Sequence, residues 1–367
     1  FKPAGQIENT GDLLINKSEI DALRRFGEII IDDNNTPVWF IDAISDPQVD
    51  KKLSATSGKS LRMSILMQLL SGKNGKQIYY VIPPGHRSTK GYKSALRSLS
   101  GGIKNFILKS FGCRIIRMGF SIGPFDNLNG QIDAMMSGSY HYFGLRDQKS
   151  LALAQKLNFK NPQYFPDLAW CYAPYPATAA TMRADKDYVV LSFRSNEYGT
   201  SHQEDYLVPI VSKIKALLES GAKGSKVILS YQVQYDRDAC IYIQQQLAGE
   251  FETELIDHKM LLPEAEGLYR NAKFVLSNRL HVLLLAFQTN ALSIPLIKPE
   301  DNKKIVGIYA DNGLGSMILD SEQDIALLTS SLGEILDNST KYQQLFRDAS
   351  QSNTGIIGQK LDSIFNN

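Results

Sequence analysis

The sequence predicts an α/β protein built from two parallel-sheet domains, with helices packing back at the C-terminal end. Three observations carry that prediction. The chain has 367 residues, and at about 100–200 residues per domain two domains are expected. Short apolar runs alternate with longer amphipathic ones, the pattern of βα units and parallel sheets. Between residues 156 and 186 the pattern lapses, and Pro162, Pro166, Pro174 and Pro176 punctuate the chain as in a connection. The expected division is therefore an N-terminal domain over 1–165, a linker over 166–186 and a C-terminal domain over 187–367.

In the first half, Leu13–Phe26 reads as a helix, and Val38–Ile41 and Ile78–Ile82 as strands. Tyr92–Phe111 reads as a helix that Gly101-Gly102 can break. Arg114–Met118 is a strand running into a loop at Gly119–Pro124. The second half is cleaner. Val189–Phe193, Val227–Tyr231 and Phe274–Asn278 are buried strands, each an apolar triplet with a Ser at its carboxyl end. Leu207, Ile210, Val211, Ile214, Leu217 and Leu218 keep the helical period up to Gly221. Cys240, Ile243 and Leu247 do the same up to Gly249. The tail, Ser321–Asn367, reads as two or three helices.

Composition excludes several classes. Hydrophobic content of 43% and aromatic content of 10% are globular values, not those of a disordered chain. Forty Lys and Arg against 38 Asp and Glu leave a net charge of +2, with no overall basic field for nucleic acid. No apolar run approaches the roughly 20 residues that span a bilayer; the best is His281–Phe287. Cys113, Cys171 and Cys240 are too widely spaced for a disulfide framework or a paired metal motif. They read as buried small hydrophobes in a reducing compartment. No secretory signal is visible at Phe1-Lys2-Pro3-Ala4, and because residue 1 is not Met a trimmed leader or anchor is compatible with this start.

The strongest chemical signal is Ser277-Asn278-Arg279-Leu280-His281, where a buried strand ends and an apolar helix begins. A helix N-terminus offers unpaired N–H groups and partial positive charge. Cations in a first helical turn oppose the macrodipole, so Arg279 and His281 there suggest an anionic ligand. Ser277 or Asn278 is the expected cap. The structural alternative pairs Arg279 with a carboxylate and buries His281 in the core. Arg194, after the strand Val189–Phe193, occupies a comparable place. If the strands are neighbours, both guanidiniums face one crevice and can fork a carboxylate and a phosphate. Otherwise Arg194 pairs with Glu197 or caps a helix.

Weaker signals lie in the first half. In Asn9-Thr10-Gly11-Asp12, Gly11 permits a tight turn and Asp12 opens a helix. Gly85, His86 and Arg87 sit in a stiff loop after Pro83-Pro84, and Arg146-Asp147 stands at a helix start. The basic stretch Lys90, Lys93, Arg97, Lys104, Lys109, Arg114 and Arg117 could face an anionic membrane or acceptor, or simply be a solvated face. There is no Gly-x-Gly-x-x-Gly, P-loop, Gly-x-Ser-x-Gly or His-Glu-x-x-His, and His141, His202 and His258 lack metal spacing.

Taken in order, these motifs resemble the polysaccharide pyruvyl transferases. They are Asn9-Thr10-Gly11-Asp12, Ile122-Gly123-Pro124, Arg146-Asp147-Gln148-Lys149-Ser150, Pro166-Asp167, Phe193-Arg194 and Ser277-Asn278-Arg279-Leu280-His281. The resemblance implies two Rossmann-like domains facing a cleft, as in the GT-B architecture. It implies phosphoenolpyruvate as the co-substrate, with no other cofactor and no metal. The acceptor would be a polysaccharide or lipid-linked oligosaccharide, converted to a cyclic pyruvate ketal, for example 4,6-O, with release of phosphate. Donor-binding residues carried over are Arg194, Asn278, Arg279, Leu280 through its backbone, and His281. Candidate catalytic groups are His281, Arg279, Asp12 and His86. Gly11, Asp12, Gly85, His86 and Arg87 fall on the acceptor side. One departure is the segment Pro83-Pro84-Gly85-His86, where a Gly-rich loop is expected.

A cytoplasmic location follows from that donor, with peripheral contact at the inner membrane, or a Golgi-type location if an anchor was trimmed. Two other functions stay open. A GT-B glycosyltransferase would need an acidic ribose contact, which Glu264 or Glu266 could supply, and a non-catalytic glycan or anion binder would show no turnover.

Overall fold

The computed structural model describes residues 1–3, 9–72, 75–176, 187–195 and 203–366. The chain forms two compact units. The first comprises Phe1–Ile7, Ile15–Cys171 and Asn353–Asn367; the second comprises Glu8–Leu14 and Tyr172–Ser352. Relative to the expected division, Glu8–Leu14 joins the later unit and Asn353–Asn367 joins the earlier one. Residues 177–186 of the expected linker, together with Glu197 and His202, lie outside the described residues.

In the first unit a short parallel pair, β1 (Ile30–Ile31) and β2 (Lys51–Lys52), accompanies the main sheet. That sheet contains β3 (Tyr79–Ile82), β4 (Gly85–Thr89), β5 (Arg114–Phe125), β6 (Tyr142–Leu145) and β7 (Gln163–Tyr164). Its order is β3-β5-β6-β7, all parallel, with β4 also paired to β5. The twelve-residue β5 serves two partners in turn: Arg114–Arg117 pairs with β3, and Phe120 onward with β4.

Here the structure corrects three expectations. Gly85, His86 and Arg87 are strand, not loop. Pro83 and Pro84 lack N–H donors and interrupt the ladder, and Gly85, at φ 111°, lets the chain rejoin beside β5. Gly119–Pro124 likewise lies inside β5. Val38–Ile41 is helical, within Val38–Ile44, and buries Phe40, Ile41 and Ile44 on one face. A four-residue apolar run fits either state until a core selects one. The helix Tyr92–Ser110 is also unbroken at Gly101-Gly102. A Cβ on Gly102 would lie 2.0 Å from Met136 Sδ, so that glycine permits close helix packing.

The second unit is a six-stranded parallel sheet: β8 (Tyr188–Ser192), β9 (Lys226–Leu229), β10 (Thr253–Leu255), β11 (Val275–Ser277), β12 (Ser293–Ile297) and β13 (Leu319–Asp320). Its order is β10-β9-β8-β11-β12-β13. Counted from β8, this is the doubly wound order 3-2-1-4-5-6, whose direction reverses between β8 and β11. Both strands are wholly buried, as an apolar run flanked by helices on each face requires. The expected helices form at Gln203–Gly221, Arg237–Leu247 and Leu280–Gln288, and two more, Ile325–Asp337 and Ser339–Phe365, close the chain. Among the described residues no helix is long and apolar enough to cross a membrane.

Candidate functional site

In an open parallel sheet, ligands bind beyond the carboxyl ends of the strands where the order reverses. Here that point lies between β8 and β11, where Ser192 and Ser277 are paired in register. Arg194 and Arg279 each follow two residues later, so the two arginines do come from neighbouring strand ends. Their backbones are held by the intervening side chains. Ser277 Oγ donates to Ser192 O at 2.6 Å and accepts from Arg279 N at 2.9 Å. Asn278 Oδ1 accepts from Arg194 N at 2.9 Å, and Asn278 Nδ2 donates to Arg194 O at 3.0 Å. The Asn278 amide thus extends the ladder one step past the sheet.

This corrects the expected cap. Arg279 itself occupies the N-cap of Leu280–Gln288, in an extended conformation with no side-chain cap hydrogen bond. The first helical bond runs from Leu283 N to Arg279 O at 3.1 Å. The N–H groups of Leu280, His281 and Val282 therefore have no partner within the helix.

Both guanidiniums bear on one carboxylate. Asp236, in the turn after β9, is 1% exposed and pairs with Arg279. Burial raises its pKa above the usual carboxylate range, against the opposing pull of Arg279 and then Arg194. Asp236 Oδ2 and Arg279 Nε are buried with no hydrogen-bond partner among the described residues. Arg279 lies over the Tyr235 ring at 5.3 Å, and Arg194 reaches Asn302 Oδ1 at 3.2 Å. Arg194 and Arg279 thus stand together near one buried carboxylate, in a partly desolvated setting where guanidiniums can hold an anion. Nearby Cys240 is no thiolate, since burial pushes its thiol up to about 12.

The N-terminal motif arrives at the same unit. Asn9 caps the helix Thr10–Leu23: its Oδ1 accepts from Gly11 N at 2.8 Å, and its carbonyl accepts from Asp12 N at 2.9 Å. Asp12 is thus a first-turn residue behind an Asn cap. Thr10 N donates to Gln232 O at 3.2 Å, and Thr10 Oγ1 to Met260 O at 3.0 Å. A Cβ on Gly11 would fall 1.9 Å from Gln232 Nε2 and 2.6 Å from His281 Nδ1. Glycine is required there by close approach, and the motif packs directly against His281. Gly11 and Asp12, expected on the acceptor side, therefore share a unit with Arg194, Arg279 and His281.

The remaining motifs form a separate buried network in the first unit. Arg146 pairs with Asp167 at 2.6 Å, and its Nε donates to Ser121 Oγ at 2.8 Å. Ser121 Oγ donates to Asp147 Oδ2 at 2.6 Å, and Asp147 caps the following helix through Ser150 N at 2.7 Å. Arg146 and Asp147, adjacent in sequence, thus meet at the shared Ser121 hydroxyl, while Arg146 alone pairs with Asp167 and Asp147 alone caps the helix. Arg87 forks Asp133 at 2.8 and 2.6 Å, while His86 is exposed on β4. Glu266 is 2% exposed and accepts from the Tyr172 hydroxyl and from Tyr175 N; Glu264 pairs with His258. Among the described residues no three His, Cys, Asp or Glu side chains group as a metal site would need.

Sequence reasoning missed Asp236, Gln232 and Asn302. Asp236 and Gln232 follow the end of β9 at Leu229 by a few residues, a placement that marks the carboxyl edge once the strand is known.

Comparison with known proteins agrees with this architecture. Residues 9–296 match the model of a family described as polysaccharide pyruvyl transferase. No curated protein matches the sequence significantly. Among solved structures, HepE of Anabaena in complex with UDP superposes with a TM-score of 0.58 at 9% identity, covering 99% of this chain and 97% of that one. MnaA of S. aureus with UDP gives 0.55 at 12%, covering 98% and 93%. The UDP-GlcNAc 2-epimerase of Neisseria meningitidis gives 0.55 at 10%, covering 96% of each. At such identity the likeness shows the fold alone, which is GT-B.

Proposed function

The chain belongs to the polysaccharide pyruvyl transferase family, and we propose that it moves pyruvate from phosphoenolpyruvate onto a hydroxyl pair of a glycan acceptor, forming a cyclic ketal. The observation that carries this reading is the convergence of Arg194 and Arg279 on one buried carboxylate at the sheet's switch point. Phosphoenolpyruvate presents a carboxylate and a phosphate on a very small frame. Two guanidiniums beside a helix N-terminus fit that charge distribution. No comparable feature favours a nucleotide sugar: of the two candidate ribose contacts, Glu266 is engaged by Tyr172 and Tyr175 and Glu264 by His258.

The reaction balances as follows. A proton adds to the donor methylene, and the first acceptor hydroxyl attacks the resulting cationic carbon. The bond to phosphate breaks, and the second hydroxyl closes the ketal at the same carbon. Of the two hydroxyl protons, one replaces the proton delivered to the methylene and the other leaves with phosphate. Arg194, Arg279 and the backbone of Leu280 hold the donor. His281 contacts the phosphate and relays a proton, since an imidazole can both donate and accept through its two ring nitrogens. Asp12 and His86 are the candidate acceptor-side bases; general acid–base help of this kind contributes about 10²–10⁴ in rate. Arg carries the charge that a metal would otherwise supply.

Calorimetric titration tests the donor. Phosphoenolpyruvate should bind at about millimolar or tighter, roughly −4 kcal/mol or better, and release phosphate only with a glycan present. Binding of UDP- or GDP-sugars with no response to phosphoenolpyruvate would overturn the reading.

The acceptor side includes an anionic bilayer. The helix Tyr92–Ser110 turns Ser98, Gly102 and Asn105 inward, yet exposes Leu96, Ile103, Phe106 and Ile107 beside Lys93, Arg97 and Lys104. Apolar side chains outward among lysines suit a headgroup interface. The protein should co-sediment with vesicles containing phosphatidylglycerol, and Ile103→Ser with Ile107→Ser should lose this. Equal recovery from pure phosphatidylcholine vesicles, or none from either, would contradict it.

A further inference from the structure

We propose that the first unit carries a second anion site, a cavity that binds a phosphate-bearing ligand. The cavity has a volume of about 470 Å³ and lies between the β3–β6 face of the sheet and the helices Leu61–Leu70, Tyr92–Ser110 and Asn127–Met136. Four arginines line it, Arg62, Arg87, Arg97 and Arg117, with Asp133 as the sole carboxylate in the wall among the described residues.

That carboxylate is already committed. Both Asp133 oxygens accept from Arg87, at 2.8 and 2.6 Å, and Thr89 adds a third bond at 3.3 Å. Arg117 hydrogen-bonds the Tyr140 side chain and feels Asp133 at a distance, but no carboxylate pairs with it directly among the described residues. It is 8% exposed, its guanidinium stands 4.1 Å over the Phe120 ring, and its Nε is buried with no hydrogen-bond partner among the described residues. Burial first, and Arg87 beside it, lower its pKa. Glu19 is within electrostatic reach, but burial raises its pKa well above the usual range and neither of its oxygens has a hydrogen-bond partner among the described residues. Arg62 enters from another helix with a second orphan Nε. Arg97 is exposed at the wall.

Buried cations are stable when paired, and an unpaired one costs far more than a bonded one. Here three guanidiniums remain after Asp133 has neutralised one. A ligand with several oxygens and at least two charges would satisfy Arg62, Arg97 and Arg117 together, as a phosphate ester or diphosphate does and a single carboxylate does not. The volume exceeds that of an inorganic ion and falls within the range of small-molecule pockets, about 300–1,000 Å³. Tyr80, Tyr140 and Phe143 in the wall can flank an organic portion. The buried face of Tyr92–Ser110 is polar for the same reason: Ser98 and Asn105 serve the arginines, at 2.8 Å from Arg87 and 3.4 Å from Arg62.

The test uses the full chain and inorganic pyrophosphate, titrated calorimetrically at constant ionic strength. Wild type should bind. Arg97→Ala, at the exposed wall, and Arg62→Gln should each weaken binding about tenfold or more, with thermal midpoints near that of wild type. Arg117→Met should abolish binding, and Arg279→Ala, in the other unit, should leave it unchanged. Competition by phosphatidic acid vesicles but not by phosphatidylcholine would assign the phosphate to a lipid headgroup. Competition by neither would assign it to a soluble ester; both support the site. No binding by wild type, or binding lost in Arg279→Ala and indifferent to the Arg62, Arg97 and Arg117 variants, would overturn it.

Discussion

Replacing Arg279 with Lys should raise the dissociation constant for phosphoenolpyruvate by about 10²-fold or more while the protein stays folded. The guanidinium has five N–H donors in a rigid plane. One nitrogen engages Asp236, and Nε is buried with no hydrogen-bond partner among the described residues. The same group can therefore hold Asp236 and a ligand oxygen at once. An ammonium keeps the charge and can still neutralise Asp236, but as a point donor it cannot hold both in fixed geometry. Losing one partner of a buried, hydrogen-bonded charge contact costs about 2–5 kcal/mol of binding. Arg279→Met should behave differently. It strands Asp236, whose pKa burial already raises, so stability should fall along with binding. Adding Asp236→Asn should restore stability and leave binding lost. Retained affinity in Arg279→Lys would mean that the arginine only braces Asp236 and that the donor lies elsewhere.

The parts of this site that were legible in the sequence are those fixed by local pattern. Val189–Phe193 and Phe274–Asn278 are strands in any fold that buries them, and their Ser ends with a trailing Arg mark the carboxyl edge. That the two are neighbours was a conditional inference, settled only by the sheet order. Asp236, Gln232 and Asn302 carry no pattern of their own. They matter because the sheet order brings β9 and β12 beside β8 and β11, a tertiary fact. The same logic explains the misread segments. Val38–Ile41 looks like a strand because four apolar residues have no resolvable period, and the core under Phe40, Ile41 and Ile44 decides for helix. His86 and Arg87 look like loop after two prolines, but the length of β5 offers a second ladder downstream. Asp12 looks like a cap until Asn9 is seen to take that role.

The motifs in the first unit lead to the opposite kind of prediction, one about stability. Asp167→Ala should destabilise that unit by about 3–5 kcal/mol, the cost of stranding one partner of a buried ion pair. Arg146 is 5% exposed in its side chain and Asp167 not at all. Removing the carboxylate leaves the Arg146 charge buried beside Ser121 without its ion-pair partner, and Ala169 N loses its acceptor at 2.9 Å. At about 2–4 °C per kcal/mol for a unit of this size, the first thermal transition should drop by roughly 6–20 °C. Arg146→Met combined with Asp167→Leu should recover much of that loss, because apolar replacements of a buried pair leave no unpaired charge. Phosphoenolpyruvate affinity should stay near wild type in every folded variant, since its proposed contacts lie in the other unit. An Asp167→Ala protein with unchanged melting and lost turnover would reverse this assignment and move Pro166-Asp167 from scaffold to chemistry. The distinction matters for the whole family pattern in this chain. Arg-Asp-x-x-Ser and Pro-Asp then persist as one hydrogen-bonded core, Arg146 to Asp167 and Asp147 to Ser121 and Ser150, that ties the interior of β5 to the segment just after β6.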